Sequence, residues 1–427
     1  MSRNSGSDPW GRVKLQIIFA SGDACGTAPD GPHHMKGVNM LISKIGAGIA
    51  ISVALVLIAG TAQAQGGWTV VTAPPTGENA ALTAVASTSD ANAWAVGHSN
   101  TAPNFLGAIP VIDHWNGSAW SQVTAPSTGY STNTLSAVSA SSTSNAWAVG
   151  WSEPRRYTFY PLAMQWNGTA WSVSTSFNTA MAGQVADGVA DVSPTDTYAV
   201  GGGLGSAPYG IVTQWNGTTW TRLTVPVPPR DITTDFDAIS ADSPNDVWIV
   251  GSYTATVSST QETFGTYTLH CNGSSWTVVS MPANPAGVEN QLESVQAISP
   301  TNVWAVGQAV NSSTLASEGT LIEHWNGTSW SVVPSPSPGS NDYLNGVTAN
   351  GSSDVWAVGA YLPAGSSDLQ TLTLNWNGTA WSTVASPTAS NGSSLTSVST
   401  TPGAAIVQAV GYTGSNGTWN PLALQNG

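Results

Sequence analysis

Beyond residue 65 the chain is a succession of short segments in which apolar and polar positions alternate, such as Leu82-Thr83-Ala84-Val85-Ala86 and Leu321-Ile322-Glu323-His324-Trp325. A period of two places one face of an extended strand against a core. No stretch there longer than ten residues shows helical periodicity. The strands come in repeating sets. Trp-Ala-Val-Gly, or a close variant, begins at Trp94, Trp147, Tyr198, Trp248, Trp304, Trp356 and Gln408, at intervals of 53, 51, 50, 56, 52 and 52 residues. A second motif, Trp-Asn-Gly-x-x-Trp, follows each of the first six. It begins at Trp115, Trp166, Trp215, Cys271, Trp325 and Trp376 and ends at Trp120, Trp171, Trp220, Trp276, Trp330 and Trp381. Periods near 50 residues point to propeller blades rather than helical solenoids.

Each unit reads as four strands: an alternating segment, the Trp-Ala-Val-Gly strand, a strand running into Asn-Gly, and a short strand opening on the closing Trp. Asn-Gly between two such runs predicts a type I′ hairpin turn, with positive φ at both residues. The seventh unit begins at Leu395 and stops at Asn426-Gly427, before any fourth strand. Gly66-Gly67-Trp68-Thr69-Val70-Val71 matches the fourth-strand pattern of Trp276-Thr277-Val278-Val279. Residues 68–72 are therefore expected to complete the last blade. The fold class is all-β: a seven-bladed β-propeller of four-stranded antiparallel blades, closed by an N-terminal strand.

The first 64 residues differ. Ile45 to Gly60 is almost unbroken apolar sequence, preceded by Lys36 and Lys44 and followed by Ala62-Gln63-Ala64. That is the order of a signal peptide, with cleavage expected after Ala64 and retention as an anchor the alternative. Residues 1–34, with Asp8, Asp23 and Asp30, do not resemble a signal n-region, and Met35 or Met40 is the expected start. The expected organisation is thus an extension over 1–34, a signal peptide over 35–64 and the propeller over 65–427, in a secreted protein.

Charge narrows the partners. After residue 64 there is no lysine, four arginines (Arg155, Arg156, Arg222, Arg230) and twenty acidic residues, a formal charge of −16 (4 minus 20). Such a surface repels nucleic acid and anionic lipid, so neither is expected as a partner. Sparse charge among Ser and Thr would suit an acidic medium. Cys25 precedes the predicted cleavage point, so Cys271 is alone in the expected mature chain. No intrachain disulfide supports the fold. A monomer without metal or cofactor is expected.

Seventeen of the nineteen Trp after residue 64 fall in repeat slots. Each buried aromatic removes roughly 150–250 Å² from water, about 4–6 kcal/mol gross. An architectural role is therefore assigned to them. Asn116, Asn167, Asn216, Asn272, Asn326 and Asn377 each begin an Asn-Gly-Ser/Thr sequon. Turn chemistry accounts for them, with glycosylation the alternative. His114, His270 and His324 share one slot two residues before the turn Asn, where other blades carry Gln165, Gln214, Asn375 and Gln425. A slot repeated on separate blades cannot converge on one metal, and cross-strand hydrogen bonding is the expected role.

The third blade resembles the kelch repeat of galactose-oxidase central domains. Tyr198-Ala199-Val200-Gly201-Gly202 is followed by Trp215 and Trp220, then by Pro226, Pro228, Pro229 and Arg230. Other blades have one glycine rather than two. The Asn-Gly…Trp turn is also similar to the Asp-box of sialidase-like propellers, but lacks the aspartate and is one residue shorter. The resemblance implies the fold and not an activity. A sialidase-like site would need an arginine cluster, and no Arg lies on a predicted inner strand. A galactose-oxidase-like copper site would need a Cys–Tyr crosslink, whereas Cys271 occupies a Trp slot away from the axis. No nucleophile-elbow motif is present. Asp187, Asp191, Asp237 and Glu293 lie on or beside inner strands as glycosidase candidates, without a spacing that selects a pair.

The second-to-third-strand and blade-to-blade connections share one face and are the long, variable ones, where binding residues usually sit. Trp151 and Trp419 leave the repeat pattern and are expected in such loops. The residue after each motif Gly carries a ring at His98, Trp151 and Tyr412, on blades adjacent once the ring closes. Arg155, Arg156, Tyr157, Phe159 and Tyr160 follow Trp151. An aromatic and arginine cluster suits sugar stacking or protein docking. The ligand-binding candidates are Trp151, His98, Tyr412, Arg155, Arg156, Tyr157 and Trp419. The leading expectation is a non-catalytic extracellular propeller binding a glycan or envelope polymer. A polysaccharide hydrolase or lyase, and a structural module contacting an extracellular protein, are the alternatives.

Overall fold

The computed structural model describes residues 67–74, 79–100, 107–155, 158–202, 210–226, 232–258, 261–314, 316–414 and 418–427. The expected signal peptide and N-terminal extension lie outside them. Among the described residues, twenty-eight strands form seven antiparallel sheets of four. The inner strands are Ala81–Ser89, Thr132–Ser142, Gly188–Ser193, Ile232–Ser243, Val288–Ser299, Tyr343–Gly351 and Ser393–Ser399 for blades 1 to 7. Each outer strand has three residues. So short an edge offers little for another chain to pair with.

The last blade is completed as its sequence requires. Thr69–Val71 pairs antiparallel with Asn420–Asn426, in the register Thr69↔Gln425, Val70↔Leu424 and Val71↔Ala423. Trp68, just before the ladder, meets Trp356 of blade 6 edge-on, with ring centroids 5.4 Å apart. That contact repeats around the ring. Trp94 meets Trp171, Trp147 meets Trp220, Trp248 meets Trp330 and Trp304 meets Trp381, all edge-on at 4.9–5.5 Å. The second-strand aromatic of each blade thus docks on the outer-strand Trp of the next. These Trp are core residues, as their spacing implies. Blade 7 breaks the rule, because buried Gln408 stands in the Trp slot facing blade 1.

The motif glycine has a steric cause. Each inner strand of blades 1, 2, 4, 5, 6 and 7 carries a bulge, at Thr83, Ser136, Asp237, Glu293, Asn345 and Thr396. Asp187 holds the same place in blade 3, its N–H donating to the Val200 carbonyl at 2.9 Å. The bulge presses an inner-strand carbonyl onto the second strand. A Cβ on Gly97, Gly150, Gly201, Gly251, Gly307, Gly359 or Gly411 would collide with it.

The Asn-Gly turns correct one expectation. In each of the six, the glycine has positive φ (92° at Gly117) but the asparagine does not. The turn is therefore not type I′. A four-residue loop separates the paired Trp115 and Trp120, and Asn116 Oδ1 accepts the N–H groups of Ser118 and Ala119 at 3.0 Å. Asn is used as a side-chain acceptor, an Asx turn.

Candidate functional site

The inner strands are laced together around the axis by side-chain hydrogen bonds, largely from the bulge slot. Asn345 Nδ2 donates to the Leu395 carbonyl at 2.7 Å, Thr396 Oγ1 to Leu82 at 2.8 Å and Thr83 Oγ1 to Leu135 at 2.8 Å. In blades 3, 4 and 5 the slot holds Asp187, Asp237 and Glu293, which have no proton to donate when ionised. Three of the four acids singled out by sequence therefore occupy one structural position on consecutive blades. Asp191 does something else. Its carboxylate accepts from Ser141 N–H, Asn145 Nδ2 and Thr197 Oγ1 at 2.6–2.9 Å, joining blade 3 to blade 2. Burial raises its pKa to about 6 against the opposing pull of those hydrogen bonds.

The shared histidine slot has the predicted cross-strand role. Nε2 of His114, His270 and His324 lies 2.8 Å from Asn92 Oδ1, Asp246 Oδ1 and Asn302 Oδ1. Each ring also packs against the second-strand Trp of its own blade. Gln214 and Asn375 make equivalent bonds to Asp196 and Asp354 at 2.8 Å.

The ligand-binding candidates are distributed as follows. His98 is 6% exposed and Trp151 7% exposed. Trp151 is not in a loop: it pairs within the strand Asn145–Arg155, opposite Thr134 and Pro161, and its ring meets Phe159 edge-on at 5.4 Å. His98, Trp151 and Tyr412 each lie four residues after a motif position that faces the next blade. Alternation along a strand points them into three different joints. Tyr412 and Trp419 are half-buried and in ring contact at 5.6 Å. Burial raises the Tyr412 phenol pKa. Arg155 is exposed at the end of its hairpin, while Arg156 and Tyr157 lie outside the described residues.

An exposed aromatic pair lies beside them. Tyr160, on the outgoing strand of the Trp151 hairpin, is 42% exposed, and Tyr130, on the blade 1 to blade 2 connection, is 38% exposed. Their ring centroids are 5.7 Å apart. Tyr130 borders an open groove of about 430 Å³ that includes Ile109, Pro110, Val123 and the segment from Thr124 to Thr128. Among the described residues, none that lines it is charged. The platform is held firmly. Buried Asn133 donates to the Tyr130 carbonyl at 2.9 Å and accepts from Thr128 and Ser152 at 2.7 Å, while Gly129 takes φ 79°. The sequence pattern singles out Tyr160 and not Tyr130. The available signal was an aromatic directly after Gly in a connection otherwise made of Ser, Thr, Ala and Pro.

Two buried carboxyls stand apart from this face. Asp113 and Glu323 occupy the same third-strand slot, two residues before the Trp, where other blades carry Met164, Thr213, Leu269, Leu374 and Leu424. Asp113 is 1% exposed, and neither oxygen has a hydrogen-bond partner among the described residues. Burial pushes its pKa up to about 7. Burial does the same for Glu323, also to about 7, with the Asn290 side chain offsetting part of the effect.

No family model matches the chain. No curated protein matches it either. Solved structures do. The chain is similar to the structure described as "YCF48 bound to D1 peptide" (TM-score 0.50, 13% identity, 84% of this chain and 96% of that one). It is similar to the "RRP9 WD40 repeats" (TM-score 0.50, 11% identity, 84% and 97%). It is also similar to a polysaccharide lyase, "PL25-Ulvanlyase bound to -[GlcA(1-4)Rha3S]-" (TM-score 0.52, 9% identity, 83% and 93%). At such identities the likeness carries the fold alone. The protein is a seven-bladed β-propeller, and function must be argued from its own residues.

Proposed function

We propose that this propeller is a secreted, non-catalytic binding module for a polysaccharide of the cell envelope or extracellular medium, held on the face of the long connections. The observation that carries this reading is the exposed Tyr130–Tyr160 pair beside an uncharged groove. Exposed aromatic faces stack on the C–H faces of sugars, and braced polar loops satisfy hydroxyls at little ordering cost. Affinity electrophoresis of the protein through gels containing dissolved polysaccharides tests the proposal. Retardation by at least one polymer, with no release of reducing ends or unsaturated products, is expected. No retardation in any gel rejects it.

One observation favours a second reading, a polysaccharide hydrolase or lyase. Asp187, Asp237 and Glu293 share the axial bulge slot on three consecutive blades. Product release by the wild type that is abolished by Asp237→Asn would favour catalysis over binding.

A further inference from the structure

We infer that the ligand surface is the rim of blades 1 and 2, with Tyr130 and Tyr160 as stacking residues and the adjoining groove as the seat of the chain, and that the ligand is a neutral polysaccharide. This inference rests on the polysaccharide-binding reading and locates it away from His98, Trp151 and Tyr412. His98 and Trp151 are buried where a sugar could reach them only by prising blades apart, and Tyr412 is half-buried against Trp419.

Three features converge at the rim. The first is exposure. Tyr130 and Tyr160 are the aromatic members of the small set of large apolar side chains that the described residues expose, and they touch each other. The second is shape. The groove runs along the end of blade 1, where Ile109 is 55% exposed, and Tyr130 stands at its border. Its volume is about 430 Å³, and it is open to solvent. The third is chemistry. Pro110, Val123 and Pro126 supply apolar surface, while exposed Gln122 and Thr124 supply amide and hydroxyl groups. That mixture matches a sugar ring, apolar on its faces and hydroxylated at its edge.

Charge selects among glycans. Among the described residues, the lining holds no cation to pair with a uronate or sulfate. The propeller carries a formal charge of −16 after residue 64 (4 minus 20), so a polyanion is repelled on approach. Arg155, paired with Thr158 two residues before Tyr160, lies outside the groove lining, as Tyr160 itself does. Binding to a neutral polymer should accordingly be nearly independent of salt.

The experiment uses the signal-processed protein in gels containing galactomannan, mixed-linkage β-glucan or amylopectin as neutral probes, and polygalacturonate or alginate as acidic ones. Wild type is expected to be retarded by a neutral polymer, equally at 20 and 300 mM salt. Tyr130→Ala and Tyr160→Ala should each weaken binding about tenfold and together abolish it. Tyr→Phe at either position should keep most of it, because the ring face makes the contact. Both side chains are exposed, so thermal melts of all variants should overlay the wild type, which separates binding from folding. Full retardation of the double alanine variant would overturn the proposed surface and leave the polysaccharide reading standing. Retardation by acidic polymers alone would overturn the neutral assignment. Binding to no polymer would overturn both.

Discussion

Asp113 makes the stability of this propeller depend on pH in an unusual direction. Its carboxyl is buried at the joint between blades 7 and 1, with pKa raised from 3.8 to about 7. Below pH 4 it is protonated in both folded and unfolded chains. Between pH 4 and 7 the unfolded chain releases the proton and the folded chain keeps it. Stability therefore falls as pH rises through that window and levels off above 7. At roughly 1.4 kcal/mol per pH unit the full effect is about 4 kcal/mol. Its neighbours explain the size: Asp113 pairs with Ala95 and Gln122 on its own sheet, Ala95 belongs to an apolar cluster with Val410 and Ala423, and neither carboxyl oxygen has a hydrogen-bond partner among the described residues. The perturbation is Asp113→Leu, the residue that blades 4, 6 and 7 carry in this slot, with Asp113→Asn as the isosteric control. Wild type and variants would be unfolded in urea at pH 4, 5.5, 7 and 8.5. The stability difference between Asp113→Leu and wild type should grow by about 2–4 kcal/mol across the series. Comparing variant with wild type at each pH cancels the repulsion among surface acids, which acts in the same direction. A difference that stays constant from pH 4 to pH 8.5 would refute the reasoning.

Other predictions follow from the same geometry. Glu323→Leu should show a similar pH-dependent gain, adding independently to Asp113→Leu because blades 5 and 1 are not neighbours. Trp68→Ala should cost about 3–5 kcal/mol, read as an earlier urea midpoint, by removing the buried ring that docks the closing strand on Trp356. Glu293→Asn should stabilise by about 1 kcal/mol in the same assay, because the new amide can donate to the Leu344 carbonyl as Asn345 does to Leu395. Asn116→Ala should cost about 1 kcal/mol by removing the acceptor for two turn N–H groups.

The blade count, the strand order and the closing strand were legible because each is a repeated or missing unit in a periodic pattern. The unfinished seventh unit and the extra Trp68 segment needed only to be matched. The bulge was not legible. It is a local loss of register, and alternation in the inner strand continues across it. Without the bulge, the motif glycine reads as a strand ending rather than as the only residue that fits against a carbonyl. The turn was misjudged because Asn-Gly serves two turn types, and only φ and the Asn Oδ1 contacts tell them apart. The candidate site residues were legible only as departures from the repeat. Residues that depart from a repeat stand out in sequence whether they point to solvent or into a joint, and alternation from Trp147 already places Trp151 in a joint. Tyr130 does not stand out because what marks it is a ring contact with Tyr160, thirty residues later on the next blade.

The most direct measurement is a crystal structure of the protein soaked with an oligosaccharide cut from the neutral polymer that retards it. The account predicts sugar rings against the faces of Tyr130 and Tyr160, with the chain continuing along the groove past Thr124. Sugar bound elsewhere, above all at the inner strands beside Asp187, Asp237 and Glu293, would contradict it.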